Sequence, residues 1–251
     1  MKTVKIDNLV IGEGLPKIIV PLVGKTRAEL LAEAEKLQTL DCDLIEWRID
    51  FFEEVQDAAA TAAFSHELKA ALQKPLLITF RSKREGGELE LSDEAYFAIY
   101  EEILANGALD LLDVELFMPE AAVAQTIAVA HEKNVKIIMC NHDFFATPAK
   151  EEIIARLCQM QAKNADICKI AVMPTSAEDV LTLLSATEEM KRLQADRPLI
   201  TMSMGDKGMV SRISGQLFGS AATFGAAKQA SAPGQVPVGE LRSILKTLAL
   251  K

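Results

Sequence analysis

Residues 136–173 read KIIMCNHDFFATPAKEEIIARLCQMQAKNADICKIAVM, and this stretch decides the fold. Two short apolar runs, Lys136–Cys140 and Ile167–Met173, predict buried strands. The segment between them, where Thr147 and Pro148 are expected to start a helix, has the length of a crossover connection. A strand, a helix and a second strand in this order predict a parallel β/α/β unit.

The same unit recurs along the chain, because six further strand-like runs bring the strand starts to a spacing of about 22 to 35 residues. They are Ile18–Val23, Asp43–Asp50, Leu76–Arg81, Leu111–Leu116, Leu199–Met204 and Ala221–Gly225. Thr26, Ser92 and Ser176 precede helical patterns and are expected to cap them. Eight repeats favour closure into a (β/α)8 TIM barrel. An open doubly wound sheet is the alternative, but no strand leads into G-x-G-x-x-G.

The remaining sequence adds little to this barrel. Residues 4–14 predict an N-terminal β-hairpin that closes the barrel floor. Because no Pro/Gly/Ser-rich linker interrupts the repeats, we expect a single domain over residues 1–251.

Composition excludes several classes of protein. The 251 residues are 49% hydrophobic and carry a net charge of −9, which argues against disorder and against general nucleic-acid binding. The apolar runs are shorter than the roughly 18 residues of a membrane span, and the first residues do not resemble a signal peptide. A cytoplasmic location is expected. An anionic small molecule remains a candidate ligand, since a few arginines in a cleft can outweigh a diffuse negative surface.

The cysteines indicate thiols rather than disulfides. Cys42, Cys140, Cys158 and Cys168 form no C-x-x-C pair and have no zinc-like spacing with the histidines. We expect small buried side chains in a reducing compartment, and no structural metal site.

Charged residues stand where the predicted strands end, which is the functional face of such a barrel. Glu46 and Arg48 are two positions apart in one strand, so both point to the same face. Arg81 ends the next strand. Charges that point into an apolar barrel need partners or a ligand.

Lys169 is the most informative of these residues, because it is a lone charge within an apolar strand. Burial favours the neutral form of an amine, and a neutral amine can form a Schiff base with a carbonyl. The alternative is a structural ion pair with Glu46 or Asp113. The position alone does not decide between them.

The neighbouring strand ends in Asn141, His142 and Asp143, so His142 is expected at its mouth, where it suits proton transfer near neutral pH. A carboxylate must hold its tautomer, and Glu85 in the loop after the third strand is the candidate. His66 and His131 are expected at the surface.

An ordered set of motifs, running through almost the whole chain, resembles type I 3-dehydroquinate dehydratase. The motifs are Glu46–Asp50 (EWRID), Phe80–Ser82 with Glu85–Gly87, Asn141–Phe144 (NHDF), Lys169–Met173 (KIAVM), Ile200–Met204 (ITMSM) and Ser231–Gln235 (SAPGQ). The resemblance implies dehydration of 3-dehydroquinate to 3-dehydroshikimate, with no metal or organic cofactor, by a cytoplasmic homodimer. Pro21 departs from the pattern, since many relatives carry Ser there.

The resemblance also implies residue roles. Lys169 would form the Schiff base, His142 would be the general acid and base, and Glu85 would orient it. The expected substrate-binding residues are Glu46, Arg48, Arg81, Arg212 as the carboxylate clamp, and Ser231 and Gln235 on a lid-like loop. Met202 and Met204 either line the apolar wall or only pack.

Two rival functions share parts of this pattern. A Schiff-base aldolase would use Lys169 but has no need of Arg212 with Ser231 and Gln235. A metabolite sensor without catalysis would not need Lys169, His142 and Glu85 together.

Overall fold

The computed structural model describes residues 2–227 and 234–250. Its centre is a sheet of parallel strands, which are β3 (Lys17–Leu22), β4 (Leu44–Arg48), β5 (Leu76–Thr79), β6 (Leu111–Glu115), β7 (Lys136–Asp143), β8 (Ile167–Val172), β9 (Leu199–Ser203), β10 (Ala222–Ala226) and β11 (Val236–Pro237). Their order in the sheet is β11-β10-β3-β4-β5-β6-β7-β8-β9. An antiparallel hairpin precedes them, formed by β1 (Val4–Ile6) and β2 (Leu9–Ile11).

Ser220 completes the contact between β9 and β10 that closes the sheet into a barrel. It bridges to Leu199, and its hydroxyl accepts a hydrogen bond from the Thr201 N–H at 3.0 Å. The N–H of Ala221 donates to the Leu199 carbonyl at 2.7 Å. The predicted (β/α)8 barrel is therefore confirmed.

The helices alternate with the strands. They are α1 (Arg27–Leu37), α2 (Ala58–Leu72), α3 (Asp93–Asn106), α4 (Glu120–Glu132), α5 (Lys150–Ala162), α6 (Ala177–Leu193), α7 (Met209–Ile213), α8 (Gly215–Phe218) and α9 (Val238–Thr247). Thr26, Ser92 and Ser176 cap α1, α3 and α6 as predicted, with capping boxes at the first and the last. In the described part of the chain no helix has both the length and the apolarity of a membrane span.

Successive side chains of each strand point alternately into the barrel and out toward the helices, so the apolar residues form two separate cores. Inward apolar side chains at the amino-terminal ends of the strands, such as Leu44, Leu111 and Ile167, form one cluster with Ile6 and Ile11 of the hairpin. The hairpin therefore packs beneath the barrel, as predicted. The outward side chains pack against the helices in a separate, larger cluster.

One local prediction was wrong, and one short strand was missed. Helix α5 begins at Lys150 rather than at Thr147, and Ala149, the N-cap residue before it, provides no side-chain cap. Strand β7 continues beyond the apolar run to Asp143, which confirms that Asn141, His142 and Asp143 form its end. Strand β11 was not predicted, because two residues are too short to show an alternation.

Candidate active site

A cavity opens at the carboxyl ends of the strands, where the sequence predicted the functional site. Its lining includes Glu46, Arg48, Arg81, Glu85, Gly86, His142, Phe144, Lys169, Ala171, Met202, Met204, Arg212, Phe224 and Gln235. Every predicted site residue is in this set except Ser231, which lies outside the described residues. The roles assigned to them stay predictions.

Lys169 lies inside the barrel because it is the third residue of β8, two positions after the inward Ile167. The side chain is 3% exposed. Its Nζ lies 3.1 Å from Asp113 Oδ2 and 3.7 Å from Glu46 Oε1, and it stands 4.8 Å from the centroid of the Phe224 ring. The ion pair considered from the sequence is therefore present, and the amine also lines the open cavity.

Asp113 lies at the centre of the polar interior. It is fully buried on β6, and its Oδ1 accepts hydrogen bonds from Arg81 Nη2 at 2.6 Å and from the Cys140 thiol at 2.9 Å. Burial acts to raise the pKa of Asp113, but the cations of Arg81 and Lys169 outweigh it, so the pKa is lowered. Asp113 is thus an ionised carboxylate that faces the amine.

Arg81 connects the acidic groups of the site. Besides Asp113, its guanidinium contacts Glu115 at 2.9 Å and Glu85 at 3.5 Å. Glu115 is fixed in turn by the backbone N–H and the hydroxyl of Ser82, at 2.8 and 2.6 Å. Because these carboxylates surround one cation, Arg81 organises the site as well as facing the cavity.

His142 and Glu85 form a buried pair. Glu85 Oε2 lies 2.9 Å from His142 Nδ1 and accepts a hydrogen bond from the His142 backbone N–H at 2.9 Å. Burial and the repulsion from Glu115 raise the pKa of Glu85 to about 8, although Arg81 opposes this. Burial, with the cations of Arg81 and Lys169, holds the pKa of His142 well below 6.5. The imidazole is therefore neutral, and its Nε2 is left for proton transfer.

Glu46 and Arg48 share the inward face of β4, as predicted. Glu46 accepts a hydrogen bond from the Thr79 hydroxyl at 3.0 Å. Arg48 makes a two-pronged contact with Asp50, with both distances 2.8 Å. This contact with Asp50 fixes the Arg48 guanidinium beside the cavity.

Arg212 reaches the cavity from α7, a short helix after β9. It is 1% exposed, and Nη1 lies 3.7 Å from the Met202 sulfur. Burial lowers the pKa of Arg212 to about 10, which leaves it charged at neutral pH. A desolvated guanidinium is suited to an anion. Pro21 pairs with Glu46 in the β3–β4 register but is not part of the described cavity lining.

The four cysteines are free, as expected, but they differ in environment. Cys42 and Cys168 are buried among apolar residues, whereas Cys158 is only half-buried. Cys140 is buried, as expected, but its thiol donates to Asp113 and so belongs to a polar network.

Cys140 also creates a ligand cluster that sequence spacing did not reveal. Its sulfur and the donor atoms of Glu85 and His142 lie within 4.8 Å of one another. Arg81 Nη1 is 2.9 Å from that sulfur, and a guanidinium so close opposes a metal cation.

The histidines away from the cavity lie at the surface, as predicted. His66 contacts the Asn106 carbonyl at 3.0 Å, and His131 pairs with Asp166 at 2.9 Å.

A closed barrel that gathers its ionisable side chains where the strands end belongs to the class of (β/α)8 proteins with a ligand site at that face. A model of the type I 3-dehydroquinase family matches residues 18–251. The chain is 57% identical over 248 residues to the 3-dehydroquinate dehydratase of Enterococcus faecalis, with 98% of each covered. It is 56% identical over 249 residues to that of Listeria monocytogenes, covering 99% of this chain and 98% of the relative.

The solved type I 3-dehydroquinate dehydratase of Clostridium difficile superposes with a TM-score of 0.95 at 50% identity, covering 98% of each chain. The chain therefore belongs to the type I 3-dehydroquinase family, and the prediction that it is an enzyme of this family is confirmed.

Proposed function

We propose that this enzyme dehydrates 3-dehydroquinate to 3-dehydroshikimate, the third step of the shikimate pathway, through a Schiff base on Lys169. The observation that carries the proposal is the buried amine in an open cavity, with a neutral imidazole on the adjacent strand. The names of the relatives above support the substrate. The Clostridium difficile structure was solved with covalently modified comenic acid, which accords with covalent chemistry in this family.

In the first stage, Asp113 takes the proton of the Lys169 ammonium, and the amine adds to the substrate ketone. Asp113 returns the proton to the hydroxyl group of this adduct, which leaves as water and gives a protonated imine that withdraws electrons from the neighbouring carbon. Asp113 Oδ2 and Glu46 Oε1 face the nitrogen and stabilise its positive charge.

In the second stage, His142 Nε2 removes the proton from the carbon next to the imine. The electron pair of that C–H bond moves to the nitrogen and forms an enamine. When this electron pair moves back from the nitrogen, it expels the hydroxyl group on the following carbon. The hydroxyl takes the proton from His142 and leaves as water. Glu85 holds the Nδ1 side of the ring throughout.

In the last stage, water hydrolyses the conjugated imine and releases product and amine. Hydrolysis consumes the water that imine formation produced, so one water is released per turnover. The substrate carboxylate is assigned to Arg212, and its hydroxyl groups to Glu46, Arg48 and Arg81. Gln235, with Ser231 from outside the described residues, is assigned to a loop that covers the site.

Two measurements test the proposal. On addition of 3-dehydroquinate, the conjugated product should appear as new ultraviolet absorbance, which neither an aldolase nor a sensor would give. Borohydride in the presence of substrate should add a covalent mass to the wild-type chain and to the surface variant Lys246→Met, but not to Lys169→Met. An unchanged wild-type mass, or an adduct that persists in Lys169→Met, would contradict the Schiff base.

The remaining expectations have direct tests. Dialysis against EDTA should leave the rate unchanged, as expected for catalysis without a metal. The expected homodimer can be measured by sedimentation, and the expected cytoplasmic location by fractionation of cells.

A further inference from the structure

A chain of hydrogen bonds connects Glu85 in the cavity, through the barrel wall, to the outer layer of helices. Glu85 Oε1 accepts a hydrogen bond from Asn141 Nδ2 at 3.0 Å. Asn141 Oδ1 in turn accepts from Arg156 Nη1 at 2.9 Å. Asn141 is 4% exposed, whereas Arg156 belongs to the outer helix α5. The contacts therefore join the imidazole–carboxylate pair to a helix that does not line the cavity.

The amide of Asn141 can serve Glu85 in only one of its two orientations. Its nitrogen donates and its oxygen accepts, so rotation by half a turn would place the oxygen against the Glu85 carboxylate. Arg156 has donors only. It therefore favours the orientation in which the amide oxygen points outward and the amide nitrogen points to Glu85.

Arg156 is itself held in place. Its Nε donates to Glu152 Oε1 at 2.8 Å, one helical turn earlier. Its guanidinium carbon lies 5.5 Å from the centroid of the Phe117 ring. The side chain is 18% exposed, less than the 56% of Arg192, which makes the same kind of pair with Glu188 on α6. Arg156 is thus restrained on three sides.

We propose that Arg156 is a positioning residue that fixes the Asn141 amide so that it donates to Glu85 and stabilises the carboxylate that orients His142. The assignment rests on the proposed function, because it concerns the reaction in which His142 is the base. Arg156 lies behind the barrel wall and acts only through Asn141.

The charged and polar groups around Glu85 determine the direction in which its pKa moves when Arg156 is replaced. Arg81 faces Glu85 from the segment that follows β5, Glu115 from β6, and His142 and Cys140 from β7. The hydrogen bond from Asn141 lowers the pKa of Glu85, against the burial and the repulsion that raise it to about 8. Loss of this hydrogen bond moves that pKa further up, so a higher pH is needed to ionise the carboxylate.

The test is the pH profile of kcat/KM. Arg156→Met should move the acidic limb upward by about 0.5 to 1 pH unit, the equivalent of one hydrogen bond, and leave the rate above the limb unchanged. Arg156→Lys, which keeps a cationic donor, should restore part of the shift. The matched control Arg192→Met should not move the limb. A lower melting temperature of Arg156→Met with an unmoved limb would overturn the proposal.

A double variant tests the route through the amide. If Arg156 acts through Asn141, the shift in Arg156→Met/Asn141→Ala should equal that of Asn141→Ala alone. Additive shifts would contradict the route. NMR titration of the His142 ring without substrate gives an independent measurement, since the chain has only 3 histidines. A ring titration altered by Arg156→Met would support the positioning even if dehydration were absent, and an unaltered one would overturn it.

Discussion

The Nζ atom of Lys169 on β8 lies 3.1 Å from Oδ2 of Asp113 on β6 in the buried interior of the barrel. The other oxygen of Asp113 is held from behind by Arg81 and by Cys140. The carboxylate therefore presents one oxygen to the amine in a fixed direction. In the proposed reaction, this oxygen takes the proton that prevents attack and returns it to the departing water. The carboxylate, ionised again, then stabilises the iminium charge.

Replacing Asp113 by Asn should slow imine formation. The amide cannot take the proton, and it loses the charge that stabilises the iminium. We expect the rate of borohydride trapping to fall about 10- to 100-fold, the range of one hydrogen bond to a charged group. Glu46→Gln is the comparison, because Glu46 is 3.7 Å from the amine and should matter less. Trapping at the wild-type rate in Asp113→Asn would remove Asp113 from this step.

Replacing His142 by Ala should separate the two halves of the reaction. Proton removal from carbon should be lost, with a fall in turnover of at least about 100-fold, while imine formation continues more slowly. Ultraviolet absorbance measures the first effect, and trapped mass measures the second. His131→Ala, which alters only a surface pair with Asp166, is the control. Wild-type dehydration in His142→Ala would show that another group is the base.

The sequence predicted the barrel and most of the cavity lining because both depend on local pattern. The alternation of apolar and helical segments predicted the β/α units, and a lone charge in an apolar strand marked Lys169. Glu115 carries the same signal, since LLDVEL places two acids on the inward face of β6. The sequence pattern indicated Asp113 only as an alternative ion-pair partner of Lys169, and Glu115 was not predicted.

Other features depend on how distant strands meet, which local pattern does not encode. Cys140 looks like a core residue until β7 is placed between Asp113 and Lys169. Arg212 belongs to a short helix after a strand and was found from the resemblance alone. Asn141 belongs to a sequence motif, but its link to Arg156 depends on the Arg156 side chain of α5 reaching the end of β7 in the folded chain.

Replacing Arg212 by Lys should weaken substrate binding more than turnover. Lysine keeps the charge but loses the planar pair of donors that matches a carboxylate. We therefore expect KM to rise about tenfold or more, with a smaller change in kcat, from the loss of one charged hydrogen bond. Steady-state kinetics measures both constants. Arg27→Lys, in a surface pair with Glu54, should change neither. An unchanged KM in Arg212→Lys would place the substrate carboxylate elsewhere.

Replacing Glu85 by Gln should stabilise the fold in alkaline solution while it impairs catalysis. The pKa of Glu85 is raised from 4.5 to about 8 by burial and by Glu115. Between these values the unfolded chain has lost the proton that the folded chain still holds, so this group lowers the free energy of unfolding as pH rises. Glutamine does not ionise, so the variant does not have this fall in the free energy of unfolding with rising pH. The melting temperature of Glu85→Gln relative to wild type should therefore be higher at pH 8.5 than at pH 5. Glu120→Gln, an exposed control whose carboxyl pKa is lowered by Lys163, should show no such gain. A difference for Glu85→Gln that stays constant across this range would mean that Glu85 is already ionised in the folded protein.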